Sequence, residues 1–76
     1  MNYIVARSNS VCMYSDFRNN VFKLSIEDGE YLDRFLQLFG SVARKQQGVY
    51  IVDRAHQAEL LAFIDEVLES ENTIRY

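Results

Sequence analysis

The chain has 76 residues, 49% of them apolar and 25% charged, which supplies a core for one folded domain, is too short for two, and is too apolar for disorder throughout. Five Phe and five Tyr, with three glycines and no proline, exclude collagen-like and low-complexity classes. Eleven acidic against eight basic side chains leave a formal charge of -3, the opposite of the basic excess that announces general affinity for nucleic acid.

Asn2–Arg7, rich in Tyr, Ile and Val, reads as a strand, and Ser8, Asn9 and Ser10 as a turn. Residues 11–18 and 21–26 then flank Asn19-Asn20, a dipeptide that tolerates positive φ and predicts a hairpin with a two-residue loop. That register sets Arg18 opposite Val21, Phe17 opposite Phe22, Asp16 opposite Lys23, Ser15 opposite Leu24 and Met13 opposite Ile26. One face collects Met13, Phe17, Phe22, Leu24 and Ile26. The other pairs Asp16 with Lys23 and displays Cys12, Tyr14 and Val21, joined by Ile4 and Ala6 if the alternation continues into the first strand.

Asp28 reads as a helix N-cap, with Glu30 and Asp33 following where the helix dipole favours negative charge. Tyr31, Leu32, Phe35, Leu36, Leu38 and Phe39 recur at helical spacing over a wide face, and Gly40 takes the place of a left-handed C-terminal glycine. Residues 41–45 and 49–53 predict a second hairpin across Gln46, Gln47 and Gly48, with Ala43, Val49 and Ile51 on one face and Val42, Tyr50 and Val52 on the other. Asp53 then caps a helix from residue 54 to about 69, whose apolar stripe of Leu60, Leu61, Phe63, Ile64, Val67 and Leu68 lies opposite Glu59, Asp65, Glu66 and Glu69. Residues 73–76 fray or add an edge strand. The order β-β-β-α-β-β-α, with or without a last strand, predicts one α+β domain over residues 1–76, a mainly antiparallel sheet carrying two helices on one face.

Chemistry is sparse. Cys12 is the single cysteine, so no internal disulfide forms, and with His56 as the single histidine a Cys/His zinc site lacks ligands. The glycines are isolated, the acidic clusters lack calcium-loop spacing, and no metal or cofactor is expected. His56 three residues after Asp53 matches a general base oriented by an aspartate, but it matches a capped helix start better, and a two-layer domain of this size leaves little concave volume for a substrate. An enzyme is not expected. Cys12, with Glu27 as its expected cross-strand neighbour, reads as an inert thiol. A lone thiol, without a basic n-region or cleavage site near the start, points to the cytoplasm, and no stretch is apolar for long enough to cross a membrane.

Three surfaces compete as binding sites. The acidic helix face of Glu59, Asp65, Glu66 and Glu69 has no lysine or arginine from Gln57 to Thr73 to compensate it, and suits a partner with a basic surface. The sheet face bearing Ile4, Cys12 and Tyr14 suits a protein partner or a second copy in a homodimer. Arg44, Lys45 and Gln47 at the second hairpin tip suit contact with nucleic acid, more so if Arg7 and Arg54 enlarge the patch, although two charges neutralise few phosphates. No motif points to a family. The leading expectation is a non-enzymatic interaction module, an inhibitor or adaptor that blocks a basic site on a larger protein. Its size and acidity match proteins of phages and mobile elements, anti-CRISPR proteins among them. The alternative is a small dimeric regulator that touches nucleic acid through the 44–48 tip.

Overall fold

The computed structural model describes residues 2–71. Strands β1 (Asn2–Arg7), β2 (Val11–Asp16) and β3 (Val21–Ile26) lead into α1 (Gly29–Phe39). Strands β4 (Arg44–Gln46) and β5 (Val49–Asp53) and a 3₁₀ turn (Arg54–His56) precede α2 (Gln57–Ser70). The five strands form one antiparallel sheet in the order β1-β2-β3-β5-β4, so the expected α+β order is the observed one. The strand expected at 73–76 lies outside the described residues.

Both helices cover the same face of the sheet. Val11, Met13, Phe22, Leu24 and Val52 point from the strands into a core completed by Phe35 and Phe39 of α1 and by Leu60, Phe63, Ile64, Val67 and Leu68 of α2. The Phe63 ring lies 5.8 Å from Phe35 and 6.1 Å from Phe39, in the tilted and edge-on arrangements that aromatic quadrupoles favour. Tyr31 near the start of α1 reaches Ser70 at the end of α2, and Arg34 reaches Glu66, so the helices run antiparallel.

The first hairpin departs from its expected register by two residues. Asp16 faces Val21, Ser15 faces Phe22 and Met13 faces Leu24, which leaves a four-residue loop, Phe17 to Asn20, in place of Asn19-Asn20 alone. The reason is side-chain chemistry at Asp16, whose carboxylate accepts from the Asn19 N–H at 3.2 Å and from Asn19 Nδ2 at 2.8 Å, while Asn20 alone takes a positive φ of 59°. A shift of two preserves which face each strand residue occupies. Phe17, however, leaves the core face for the loop, where it is 55% exposed. Asp16 and Lys23 are not directly opposite, yet the ammonium reaches the carboxylate diagonally at 3.3 Å.

Three other expectations change. The pairing of β1 slips between Ile4 and Ala6, so Ile4 stays opposite Tyr14 while Ala6 meets Met13 and is buried in the core instead of joining the outer face. Gly40 is right-handed (φ -56°, ψ -31°), and a Cβ there would stand 2.5 Å from the Leu36 carbonyl oxygen, so close approach and not handedness explains the glycine. Residues 41–43 leave α1 in a turn, with the Val42 and Ala43 N–H groups both donating to the Phe39 carbonyl, which shortens β4 and takes Ala43 to the core and Val42 to the surface. The β4–β5 loop is then Gln47-Gly48, both with positive φ (52° and 82°), the type I′ geometry that matches strand twist.

The helix starts follow the capping rules. Asp28 Oδ1 accepts from the Glu30 and Tyr31 N–H groups at 2.9 and 3.1 Å. Asp53 accepts from Ala55 N–H at 2.8 Å and so caps the 3₁₀ turn that precedes α2, which begins at Gln57 and not at residue 54.

Candidate functional site

Burial of Leu60, Phe63, Ile64, Val67 and Leu68 sets the rotation of α2 and leaves Glu59, Ala62, Glu66 and Glu69 along one exposed ridge at spacings of three, four and three residues. On α1, burial of Phe35 and Phe39 similarly turns Arg34 and Leu38 toward that ridge. Between the helices lies an open groove of about 620 Å³ with Phe39, Ala62 and Phe63 in its lining and Val42 and His56 among the residues around it. All four acidic side chains singled out in the sequence, Glu59, Asp65, Glu66 and Glu69, line this one groove.

Its apolar portion is exposed. Among the described residues the large hydrophobic side chains left exposed are Phe17, Leu36, Leu38 (53%) and Val42 (39%), and the last two belong to the groove. Leu38 lies off the Phe35 and Phe39 stripe, a signal present in the sequence but merged there into one broad buried face.

Arg34 is the basic side chain that answers the carboxylates. Its guanidinium binds Glu66 in a bidentate fork, Nε to Oε2 at 3.0 Å and Nη2 to Oε1 at 2.8 Å, with both side chains about half exposed (52% and 54%). Neither Glu59 nor Glu69 has a salt-bridge partner among the described residues. The last turn of α2 contains no basic residue, so Glu69 stands where the helix dipole disfavours negative charge.

No protein-family model, curated protein or solved structure matches the chain.

The sheet face away from the helices carries the cross-strand row Ile4, Tyr14, Lys23, Ile51 and Arg44. Ile4, Cys12 and Tyr14 do share this face, and each is half-buried. Ile51 is only 6% exposed although it faces away from the helices, with Lys23 and Arg44 opposite it on the two neighbouring strands. Cys12 stands opposite Ser25 and not Glu27, and its hydrogen bond and charge raise the Tyr14 hydroxyl above its ordinary 10.0.

The pleat divides the basic hairpin tip. Arg44 lies on the outer face opposite Ile51, whereas Lys45, opposite Tyr50, places its ammonium 5.7 Å from that ring on the helix side. Gln47 occupies the turn itself. Arg54 does not join them: its guanidinium is sandwiched 4.5 Å from both the Phe17 and Phe22 rings and donates to Ser15 Oγ at 2.8 Å and to Asn20 Oδ1 at 3.1 Å. The Asp53 carboxylate accepts from the Ala55 N–H, and among the described residues no hydrogen bond joins it to His56. Among the described residues no three His, Cys, Asp or Glu side chains converge as metal ligands, and no helix is long and apolar enough to cross a membrane.

Proposed function

We propose that the chain is a non-enzymatic interaction module that covers a basic site on a protein partner, acting as an inhibitor or adaptor, with the groove between α1 and α2 as its contact surface. One observation carries this reading: Glu59, Asp65, Glu66 and Glu69 line the same groove in which Leu38 and Val42 leave apolar surface exposed. Apolar surface supplies affinity, and the carboxylates supply orientation and partner choice. Cytoplasmic location and a phage or mobile-element source remain part of the proposal on grounds of size, acidity and the lone thiol.

Affinity capture by the tagged chain from its native host, with and without nuclease, provides the partner for the test. The expected result is a nuclease-resistant protein that no longer binds Glu66→Lys/Glu69→Lys but still binds Arg44→Glu/Lys45→Glu. Capture that nuclease abolishes, or that fails with the hairpin-tip variant and survives the helix variant, overturns the reading in favour of nucleic-acid contact through Arg44, Lys45 and Gln47.

A further inference from the structure

We infer that the occupant of the groove is a single amphipathic α-helix of the partner, with arginine or lysine seven residues apart to meet Glu59 and Glu66 and apolar side chains between them. This rests on the reading of the groove as the interface. Glu59 and Glu66 are seven residues apart on one helix and Glu69 is ten from Glu59, which at 1.5 Å per residue puts them about 10.5 and 15 Å apart along the axis. A helix laid beside α2 returns the same face to its neighbour after seven residues, about 10.5 Å on, and so meets Glu59 and Glu66 together, while Glu69 lies about 80° round α2 from Glu59 at the edge of that contact. An extended segment returns the same face at about 6.7 and 13.4 Å, which suits Glu59 with Glu69 better than Glu59 with Glu66.

The space between the carboxylates has the matching chemistry. Ala62 sits on the ridge between Glu59 and Glu66, and its short side chain leaves room beside the exposed Leu38 for an apolar residue of the partner. Arg34 adds the third part. Its bidentate fork on Glu66 occupies the seat of an incoming guanidinium, and because both side chains are about half exposed (52% and 54%) the contact is weak enough to be exchanged. Arg34 is thus an internal stand-in for the partner's cation, competing with it for Glu66.

Two capped synthetic peptides of about 20 residues test this, long enough to reach past all three glutamates when helical. One has arginine at every seventh residue with leucine between, and the other has the same composition reordered to destroy the stripe. Fluorescence anisotropy should show the striped peptide binding about tenfold tighter than the reordered one, with helix content rising on binding. Arg34→Ala should tighten the striped peptide about two- to fivefold. Arg7→Ala removes the same charge at the far face of the sheet and should change affinity by less than about twofold. Glu66→Gln, which removes the seat itself, should abolish the effect of Arg34→Ala. Equal affinity for the two peptides, failure of the striped peptide to bind, or equal responses to Arg34→Ala and Arg7→Ala would overturn the inference. If both peptides bind alike and both weaken with Glu59→Gln/Glu69→Gln, the helical occupant falls and the acidic interface stands. If peptide binding ignores Glu59→Gln/Glu69→Gln, the interface reading falls as well.

Discussion

Arg54 holds the 17–20 loop against the start of α2. Its guanidinium fills the space between two phenyl rings and supplies a hydrogen bond to the hydroxyl of Ser15, a fully buried residue. Arg54→Ala removes the stacking and leaves that hydroxyl unpaired, so urea unfolding should show a loss of about 2 kcal/mol or more. Arg54→Lys should recover little, because an ammonium has neither the planar face nor the fork. Asp16 gives the same loop its pH dependence. Hydrogen bonds from Asn19, with Lys23 beside the carboxylate, outweigh its desolvation and hold its pKa near about 2, below the ordinary 3.8. A depressed folded pKa means the contribution is complete above 3.8 and is lost as pH falls toward about 2. Acid titration of the unfolding midpoint should show that decline in the native chain, and Asp16→Asn should flatten it while lowering the midpoint near neutral pH.

At the scale of elements, α2 combines a well-buried stripe with an end that its own dipole opposes. Glu69→Gln should raise stability by about 0.3–1 kcal/mol in thermal unfolding while weakening partner binding, the trade expected where charge is kept for contact and not for folding. This face was legible in the sequence because helical periodicity separates Glu59, Asp65, Glu66 and Glu69 from the stripe without any knowledge of neighbours. The groove was not legible, since it depends on α1 packing antiparallel to α2 so that Arg34 and Leu38 come to face the acidic ridge. The strand faces were read correctly wherever alternation was unbroken. They failed at Phe17, where Asp16 and Asn19 build a longer loop, at Ala6, where a slip in the β1 pairing inverts the alternation, and at Val42 and Ala43, which lie in the turn after α1 and not in a strand. These failures are local side-chain or backbone choices that a periodicity of two cannot express.

The whole molecule is small enough for single side chains to decide whether it folds. A domain of this size retains roughly 3–5 kcal/mol of net stability. Phe35 is 0% exposed and its ring centroid lies within 5.3 to 5.8 Å of those of Phe39, Tyr50 and Phe63, joining α1 to both the sheet and α2. Phe35→Ala costs about 3–5 kcal/mol in such a core, so this variant should be largely unfolded at 25 °C by circular dichroism. The partition of charge is also a property of the whole: the -3 of the chain is not spread evenly, because the groove alone gathers four carboxylates around one arginine. Two faces result, a sheet face on which Ile4, Tyr14 and Ile51 share a row with Lys23 and Arg44 across the strands, and a helix layer that leaves apolar surface between carboxylates. The most direct measurement of that division is calorimetric titration of the captured partner against the native chain and Glu59→Gln/Glu69→Gln at two salt concentrations. The account predicts affinity about tenfold weaker for the variant together with a shallower salt dependence. Equal affinity and equal salt dependence in the two proteins would contradict it.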